Sequence, residues 1–414
     1  MHRRIKGLAR QILLPIVYGL GVAGILASGD GSNSGGIRYC DLVVRGIAPT
    51  TDGSNDVWIG VLAITSSGEV DRISRLASNG AERFGVDIAT GNTDNAVRAI
   101  AIAVEGGAVD DLYVGGDFDE GILRLNDDGT LDGTFDANVG TGFDGRVTSI
   151  VPAADTTGDI YVGGNFTTYQ GNPVGALVRL DDDGMLDAGF GGNGAIITNV
   201  ESVAMEGGGT SDVYSGGTTA PAIERWNSSG TEDVTPDFIT PGGIFPVFSI
   251  IPATDFPSDV YVGGGFAGRI IRLDDEGITV NTFAVGAGFD DDVFSIIDAG
   301  AANEIYAGGD FTTYQGNTAR GLIRLDTVGA IVGSFNTGAG FDDPRDATSA
   351  SQVASLALAT PPSTDLFVGG GFTRYDGPDV NGLVRLNADG SLDTAFEVRI
   401  EANGQDCNND SIRR

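Results

Sequence analysis

Short apolar runs, separated by Gly, Asp, Asn, Ser and Thr, recur along almost the whole chain. Such runs, with turn residues at both ends, predict β-strands joined by tight turns. One phrase recurs seven times, an apolar residue followed by an aromatic residue and usually by Val-Gly-Gly. Its aromatic residues are Trp58, Tyr113, Tyr161, Tyr214, Tyr261, Tyr306 and Phe367. Trp58 and Phe367 are 309 residues apart over six intervals, and an average period of about 51 is typical of propellers and solenoids.

The third repeat shows the internal pattern most clearly. Its apolar runs are residues 147–151, 160–166, 176–180 and 185–190, which predicts four strands. An acidic residue followed by glycine separates the last two runs, here at Asp183-Gly184 and again at residues 128–129, 276–277 and 389–390. Glycine at this place supplies the positive φ that a tight hairpin requires.

A four-stranded antiparallel sheet of this length cannot bury both of its faces alone, so each repeat must pack against its neighbours. The sequence therefore predicts an all-β fold, a seven-bladed β-propeller of four-stranded antiparallel blades. The alternative is an open linear stack. That arrangement would leave large apolar faces at both ends, and neither terminus carries a polar capping repeat.

An arginine also recurs in the third run of every repeat, as Arg75, Arg124, Arg179, Arg225, Arg272, Arg324 and Arg385. A catalytic group is expected once per chain rather than once per repeat, so the pattern indicates a structural role. We expect these guanidinium groups to tie neighbouring strands or blades to carboxylates or backbone carbonyls. Ligand binding is the alternative.

The complete repeat reads YVGG-F-TTY-G followed by GLVRLN-DG-LD-F, and it resembles the bacterial delta-60 repeat β-propeller family. The best match is residues 365–396, and the resemblance extends over most of the chain after residue 40. It implies a β-propeller in exported bacterial proteins and brings no established activity or catalytic residues. The first and fourth repeats depart most, with Val61 in place of the second glycine and Ser215 in place of valine.

The chain has a formal net charge of −33, from 24 Lys and Arg against 57 Asp and Glu. Nucleic acids and anionic membrane surfaces bind basic proteins, so neither is an expected partner. Cations and cationic partners are compatible with this charge.

The N-terminal segment has the features of a signal peptide. Residues 1–10 are basic, residues 11–26 are largely apolar, and Ala27, Ser28 and Gly29 are small residues suited to cleavage. We therefore predict a signal peptide at 1–29, a Gly/Ser-rich linker at 30–36 and the propeller at 37–414. A retained anchor is the alternative, although the apolar run is shorter than the about 20 residues of a stable span. With cleavage no membrane span remains, and the protein is secreted, periplasmic or on the cell surface of a bacterium.

The two cysteines, Cys40 and Cys407, lie just before the first repeat and just after the last. A closed ring brings these ends together, and an exported protein reaches an oxidising compartment. We therefore predict a disulfide between them, with two free thiols as the alternative.

Strand direction alternates within a repeat, so the loops after the second and fourth strands emerge on one face, called the loop face below. The candidate ligand-binding residues on this face are Tyr169, Gln170, Asn172, Tyr314, Gln315, Asn317, Arg374, Tyr375 and Asp376. Loops on a rigid scaffold often carry binding, and aromatic rings beside amides and carboxylates suit glycans or peptides. The alternative is that the rings pack the loop bases and the acids are solvated.

The hairpins between the third and fourth strands emerge on the opposite face and are rich in oxygen ligands suited to calcium. The candidates are Asp181, Asp183, Asp187, Asn387, Asp389 and Asp393. Asp and Asn before glycine are also expected in tight turns, so turn formation is the alternative. Calcium is the one cofactor that the sequence suggests.

Catalysis has little support, since the single histidine, His2, lies in the predicted signal peptide and both cysteines are expected to pair. We predict a non-catalytic monomer that binds a glycan, a peptide or a partner protein through acidic, Tyr-containing loops. One alternative is a carboxylate-dependent polysaccharide hydrolase or lyase, which would need two close carboxylates with raised pKa values. The other is a calcium-stabilised adhesin or surface protein.

Overall fold

The computed structural model describes residues 41–65, 68–88, 97–103, 110–155, 157–190, 198–207, 212–233, 238–239, 242–256, 258–300, 303–342, 352–361, 363–402 and 405–406. The predicted signal peptide, the predicted linker and both cysteines lie outside these ranges. Within them, no helix is long and apolar enough to cross a membrane.

The first repeat forms a four-stranded antiparallel sheet in the order β1-β2-β3-β4. Its strands are β1 (Asp41–Pro49), β2 (Val57–Thr65), β3 (Gly68–Leu76) and β4 (Glu82–Asp87). Strand β2 has 9 residues, against 5 in the second strand of each later repeat. The extra residues follow Val61, so this sheet extends further toward the loop face.

The other six repeats each contain a three-stranded antiparallel sheet. The second and third repeats comprise β5 (Val97–Ile102), β6 (Leu112–Gly116), β7 (Ile122–Leu125), α1 (Gly133–Val139), β8 (Val147–Pro152), β9 (Ile160–Gly164), β10 (Thr168–Tyr169), β11 (Asn172–Pro173) and β12 (Leu177–Leu180). The fourth and fifth comprise β13 (Val200–Met205), β14 (Val213–Gly217), β15 (Ile223–Trp226), β16 (Val247–Pro252), β17 (Val260–Gly264) and β18 (Ile270–Leu273).

The sixth and seventh repeats and the C-terminal segment comprise β19 (Val293–Asp298), β20 (Ile305–Gly309), β21 (Thr313–Tyr314), β22 (Asn317–Thr318), β23 (Leu322–Leu325), β24 (Phe341–Asp342), β25 (Val353–Leu358), β26 (Leu366–Gly370), β27 (Arg374–Tyr375), β28 (Leu383–Leu386), β29 (Glu401–Ala402) and β30 (Gln405–Asp406). The three-stranded sheets are β5-β6-β7, β12-β9-β8, β13-β14-β15, β16-β17-β18, β19-β20-β23 and β25-β26-β28. Four short pairs also lie within the described residues: β10-β11, β21-β22, β24-β27 and β29-β30.

Among the described residues, the predicted fourth strand is formed only in the first repeat. In the other six repeats this segment makes a single antiparallel bridge to the third strand, as between Leu180 and Leu186. The chain then turns away because Asp187 Oδ1 accepts a hydrogen bond from the Gly189 N–H at 2.7 Å. In the second repeat the equivalent Asp132 instead caps helix α1.

The recurring aromatic residue is the centre of each repeat's core. A phenylalanine of the fourth segment packs against it with ring centroids 5.0–5.6 Å apart, in the pairs Trp58–Phe84, Tyr113–Phe135, Tyr161–Phe190, Tyr214–Phe238, Tyr261–Phe283, Tyr306–Phe335 and Phe367–Phe396. In six repeats the recurring arginine also lies over this ring, at 5.2–5.9 Å from the centroid. The aromatic pairs and the cations over them stabilise the fold beyond the burial of their area.

The recurring arginine joins neighbouring repeats, which confirms its predicted structural role. Its guanidinium donates to a carbonyl in the hairpin of the next repeat, from Arg75 to Asp127 (3.1 Å), Arg124 to Asp182 (3.1 Å), Arg225 to Asp275 (2.8 Å) and Arg385 to Ser78 (2.8 Å). Ser78 belongs to the first repeat, so this last bond links the seventh repeat to the first.

The first glycine of the recurring phrase lies against the next repeat. A Cβ added there would come within 2.4–2.7 Å of a Val or Ile side chain, at Gly60, Gly115, Gly163, Gly216, Gly263, Gly308 and Gly369. For Gly369 the nearest side chain is that of Val44 in β1. Only glycine allows so close an approach of two sheets.

The first strands of the repeats, β1, β5, β8, β13, β16, β19 and β25, lie side by side. Each contacts the next in chain order, and β25 contacts β1. Serine hydroxyls accept hydrogen bonds of 3.0 Å from backbone N–H groups of the following first strand, from Val203 to Ser149, Ile250 to Ser202 and Ile296 to Ser249. The Leu42 N–H likewise donates to Asn381 Oδ1 at 2.9 Å, so the two ends of the repeat array pack together.

Candidate functional site

Each first strand contains a β-bulge at the same place, at the residue immediately before the recurring Ser or its equivalent. The bulged residues, here called the inner row, are Arg45, Arg98, Thr148, Glu201, Phe248, Phe294 and Ala354. All seven are partly exposed, although each follows a buried valine. A bulge re-aims its side chain, and the first strands contact one another. The inner row therefore lies where these strands come together.

One part of the inner row is charged. Asp117, which follows β6, accepts hydrogen bonds from Arg98 Nε at 2.6 Å and from Arg146 Nε at 2.9 Å. Burial raises the pKa of the nearby Glu201, while a hydrogen bond from Asn199 and the charges of Arg146 and Arg98 oppose the shift. Asp117 follows a second strand and Arg146 precedes a first strand, so this cluster lies at the end of the sheets that bears the loop face.

Arg45 and Asp71 lie beside each other in the first repeat without a direct hydrogen bond. Arg45 Nη1 is 3.9 Å from Asp71 Oδ1, which is beyond hydrogen-bond distance. The Asp71 side chain is 9% exposed, and its Oδ1 has no hydrogen-bond partner. Burial raises the pKa of Asp71 to about 6. Burial, followed by repulsion from Arg98, lowers the pKa of Arg45.

A group of carboxylates lies at the sixth repeat. Asp310 follows β20, the position that Asp117 has in the second repeat. Burial raises the pKa of Asp310 to about 7, and the charges of Asp291 and Asp292 contribute to the rise. The Oδ1 atom of Asp310 is buried without a hydrogen-bond partner. Arg269 donates a hydrogen bond to Asp292. The positive charge of its guanidinium is therefore paired with the Asp292 carboxylate.

We expect Asp310→Asn to stabilise the protein at pH 8 and to have little effect near pH 4. The pKa of Asp310 is raised from 3.8 to about 7 on folding. The folded state therefore binds this proton more tightly, and wild-type stability falls as the pH rises between these values. Removing the charge should add up to about 4 kcal/mol to the free energy of unfolding at pH 8. Urea unfolding at both pH values measures the effect.

Asp119→Asn, at an exposed aspartate in a turn, is the control for Asp310→Asn and should change stability by less than about 0.5 kcal/mol at either pH. An equal stabilisation by Asp310→Asn at pH 4 and pH 8 would contradict the proposed titration.

The three Tyr-containing loops share one arrangement. In the third repeat, Phe143 packs against Phe166 and Tyr169 with centroids 4.2 and 4.6 Å away. Tyr169 is 2% exposed, and its hydroxyl donates to the Gly184 carbonyl at 2.5 Å. The same contacts are made by Tyr314 with Gly329 and by Tyr375 with Gly390. The rings thus form the buried cores of these loops. The exposed groups are the residues next to the tyrosines along the chain.

The exposed candidates lie at the tips of these loops. Gln170 and Gln315 have φ values of 50° and 48°, and each is followed by a glycine with positive φ. These two-residue turns close the hairpins β10-β11 and β21-β22 with the geometry of type I′ turns. Asp376 has the same position and a φ of 45° in the seventh repeat. The remaining candidates are Asn172 and Asn317, which are exposed, and Arg374, which pairs with Asp379 at 3.2 Å.

The calcium candidates lie in hairpin turns, and most of them bond to the turn itself. Asp181 accepts from the Met185 N–H, Asp389 from the Ser391 N–H and Asp393 from the Ala395 N–H, at 2.7–2.9 Å. The remaining three are Asp187, which turns the chain as described above, Asn387, which donates to Ser391 Oγ at 2.9 Å, and Asp183, which is exposed. These contacts are those of turn formation.

One group of three carboxylates among the described residues has oxygens within 4.8 Å of one another. It comprises Asp274, Asp275 and Glu276, in the equivalent hairpin of the fifth repeat. A hydrogen bond with Asp275 raises the pKa of Glu276. This group lies on the face opposite the loop face.

Four parts of the chain match the model of a family described as a domain of unknown function (DUF5122) beta-propeller. They are residues 111–135, 157–190, 303–335 and 366–396. Each part contains the recurring aromatic residue, the recurring arginine and the phenylalanine that packs on the ring. The protein is a β-propeller.

Solved propellers resemble this one in fold at low sequence identity. Sqt1 from Chaetomium thermophilum is 15% identical with a TM-score of 0.51, and the match covers 88% of this chain and 84% of that chain. Sqt1 bound to the N-terminus of the ribosomal protein L10 gives the same identity and TM-score, over 85% and 86%. A catalytically inactive virginiamycin B lyase from Staphylococcus aureus with quinupristin is 14% identical, with a TM-score of 0.49, over 81% and 96%. No curated protein matches the chain.

Sequence reasoning missed the inner row and the charges beside it. A signal was present in the first strands of this propeller, where most repeats read Val, a variable residue, Ser and then Ile, Val or Leu. The variable position ranges from arginine to phenylalanine while its neighbours change little. Variation at one position of a regular repeat marks a place where the copies can differ in what they bind.

Proposed function

We propose that the protein is a non-catalytic binding scaffold, a seven-bladed β-propeller that holds a peptide segment of a partner protein on its loop face. The observation that carries the proposal is the charged part of the inner row. Arg45, Arg98 and Glu201 of the row lie near Asp117 and Arg146, which are beside it, in a chain whose net charge is −33. Charged groups held in fixed positions by their neighbours orient a ligand at little entropic cost.

Three contacts between the first and last repeats support the seven-bladed ring. Gly369 lies against Val44, the Arg385 guanidinium donates to the Ser78 carbonyl, and the Leu42 N–H donates to Asn381. The glycine and arginine contacts are of the same kind as those that join consecutive repeats elsewhere in the chain. The bond from Leu42 is an additional contact between the first and last repeats. Blades that meet in this way form a rigid platform for the loops.

A peptide ligand fits the exposed groups of the loop face. Gln170 and Gln315 are exposed at the tips of rigid turns, where their Nε2 groups donate to the Asn138 and Ala284 carbonyls. Their Oε1 atoms can accept hydrogen bonds from the backbone N–H groups of a peptide. The acidic net charge attracts basic residues of a partner and repels polyanions. Sqt1, seen bound to the N-terminus of a ribosomal protein, illustrates that a propeller can hold a peptide.

The test is binding of the protein to peptide and glycan arrays, with and without calcium. We expect peptides with basic residues to bind, and the triple variant Gln170→Ala, Gln315→Ala, Asp376→Ala to weaken binding about tenfold or more. The matched control changes exposed or partly exposed acids of the opposite face, Asp182→Ala with Glu276→Ala, and should leave binding unchanged. Binding to glycans alone would contradict the peptide assignment, and equal losses in both variants would contradict the use of the loop face.

A carboxylate-dependent hydrolase or lyase is the second candidate, because Asp310 has a pKa of about 7 beside Asp291 and Asp292. A carboxyl group with a pKa near neutrality can act as a general acid or base. This candidate predicts that the protein cleaves a polysaccharide and that Asp310→Asn abolishes cleavage without unfolding the chain. Release of new chain ends from a panel of polysaccharides is the measurement.

We also propose that the chain is exported and that Cys40 pairs with Cys407. The disulfide is supported by strand β1, which begins one residue after Cys40 and contacts β25 and β26 of the last repeat. We expect no titratable thiol in the unfolded, unreduced protein and two after reduction. Two thiols before reduction would contradict the disulfide.

A further inference from the structure

The inner row has a second part whose chemistry is apolar. It comprises Phe248, Phe294 and Ala354, and the rings of the two phenylalanines lie with centroids 5.4 Å apart. All three are partly exposed. Ala354 stands between Phe294 and Arg45 in the order of the row and has no side-chain atom beyond Cβ. The row thus places an aromatic pair and an arginine, all partly exposed, on neighbouring first strands.

Arg45 differs from Arg98 and from Arg146, which lies beside the inner row. Arg98 and Arg146 donate hydrogen bonds to Asp117 at 2.6 and 2.9 Å, whereas Arg45 has its nearest carboxylate oxygen, on Asp71, at 3.9 Å. Burial and the charge of Arg98 disfavour the Arg45 cation and lower its pKa, although the charges of Asp71, Asp117 and Glu69 oppose the shift. An anion that bonds directly to the guanidinium would therefore stabilise the cation. A guanidinium binds a carboxylate through two parallel hydrogen bonds.

Asp71 supplies the complementary group. Its side chain is nine-tenths buried, and its Oδ1 has no hydrogen-bond partner although it points toward Arg45. An unpaired buried acceptor is costly, and an N–H donor of a ligand would satisfy it. Arg45 and Asp71 therefore offer a donor and an acceptor side by side.

We propose that this site binds the C-terminal carboxylate of a peptide whose last residue is apolar. The carboxylate accepts hydrogen bonds from Arg45, a peptide N–H donates to Asp71, and the last side chain packs toward Phe294 and Phe248. This inference rests on the proposed function, since it names the end of the peptide that the loop face receives. A polyuronate also carries carboxylates, but the net charge of −33 repels a polyanion. A single carboxylate preceded by basic residues is attracted instead.

The probes are two fluorescent pentapeptides, Arg-Gly-Arg-Gly-Leu with a free C-terminal carboxylate and the same peptide with a C-terminal amide. Fluorescence anisotropy measures both dissociation constants. We expect the free acid to bind about tenfold tighter, the gain of a charge-assisted pair over a neutral one. Arg45→Gln should abolish this difference. The control Arg83→Gln removes an arginine of the same repeat that lies outside the site and is 50% exposed, and it should preserve the difference.

A second variant keeps the proposal testable if Arg45→Gln does not fold. Asp71 faces Arg45, Glu69 and Arg98, and its carboxylate competes with the ligand for Arg45. The tenfold preference should therefore grow as the pH falls from 8 to 5 in the wild type. In Asp71→Asn it should be large at both pH values.

Equal affinity for acid and amide in the wild type would overturn the proposal. A preference that survives in folded Arg45→Gln, or tighter binding of an oligouronate than of the acid peptide, would do the same. None of these results would affect the proposed function if arrayed peptides still bind the loop face, so the two failures are distinguishable.

Discussion

Replacing Arg272 with glutamine is expected to lower the free energy of unfolding by about 3–5 kcal/mol. The Arg272 guanidinium is 3% exposed. It donates to Asp259 Oδ2 and to Asp255 Oδ1, each at 2.8 Å, and to the Tyr261 hydroxyl at 3.1 Å. Glutamine cannot reach all three groups and carries no charge, so two mostly buried carboxylates would lose their counterion. Urea unfolding at pH 7 measures the loss.

A surface arginine provides the control for Arg272. Arg399 is 60% exposed and pairs with Glu397 at 2.6 Å, and Arg399→Gln should cost at most about 1 kcal/mol. Adding Asp255→Asn and Asp259→Asn to the Arg272 variant should recover part of its stability, because the unpaired carboxylates would then be neutral. Equal losses in the Arg272 and Arg399 variants would contradict the buried arrangement.

The recurrence of this arginine shows what a repeat sequence can predict. A residue type that occurs once in each of seven repeats is expected to have a structural role that all repeats share. The structure confirms this role, because the arginines make contacts within and between repeats. The hairpin glycines were predictable for a similar reason, since a positive φ such as the 84° of Gly184 leaves few other choices. Local rules of this kind hold without knowledge of the neighbouring repeat.

The fourth segment shows where local rules are insufficient. Residues 185–190 read as a strand because they form a short run with Met, Leu and Phe that is bounded by turn residues. Asp187, however, bonds the backbone two residues on, and Phe190 turns inward to pack on Tyr161. In the sequence, an apolar residue that folds back onto the edge of its own repeat cannot be told from an apolar residue in a strand. Periodicity alone cannot separate the two.

The candidate site was predictable in part. The loop face and its exposed amides followed from strand alternation, whereas the burial of Tyr169, Tyr314 and Tyr375 depends on carbonyls 15 residues away in the same repeat. The inner row depends on a bulge that brings residues about 50 positions apart to one centre. Charges such as Arg45 and Arg98 meet there only because the sheets stack, and no local pattern encodes that distance.

Replacing Gly369 with valine is expected to lower the free energy of unfolding by about 3 kcal/mol. A Cβ at this position would lie 2.6 Å from Val44 Cγ1 and 2.9 Å from both Val44 Cβ and Ile47 Cδ1. The two sheets would have to separate to admit it, and the apolar contacts between the last and first repeats would be lost. Thermal and urea unfolding of the variant measure the effect.

The sign of the Gly369→Val change distinguishes a closed ring from an open array. Valine is a better strand residue than glycine, so in an array whose ends do not touch, the substitution at the end of β26 would stabilise the chain. Gly371→Val is the matched control, since no atom lies within 4 Å of a Cβ at Gly371, and it should change stability by less than about 0.5 kcal/mol. Destabilisation at Gly369 without destabilisation at Gly371 therefore requires β1 to lie against the seventh repeat. The inner row needs the same closure, because Arg45 lies beside Ala354, and so near Phe294, only if the first strand contacts the last.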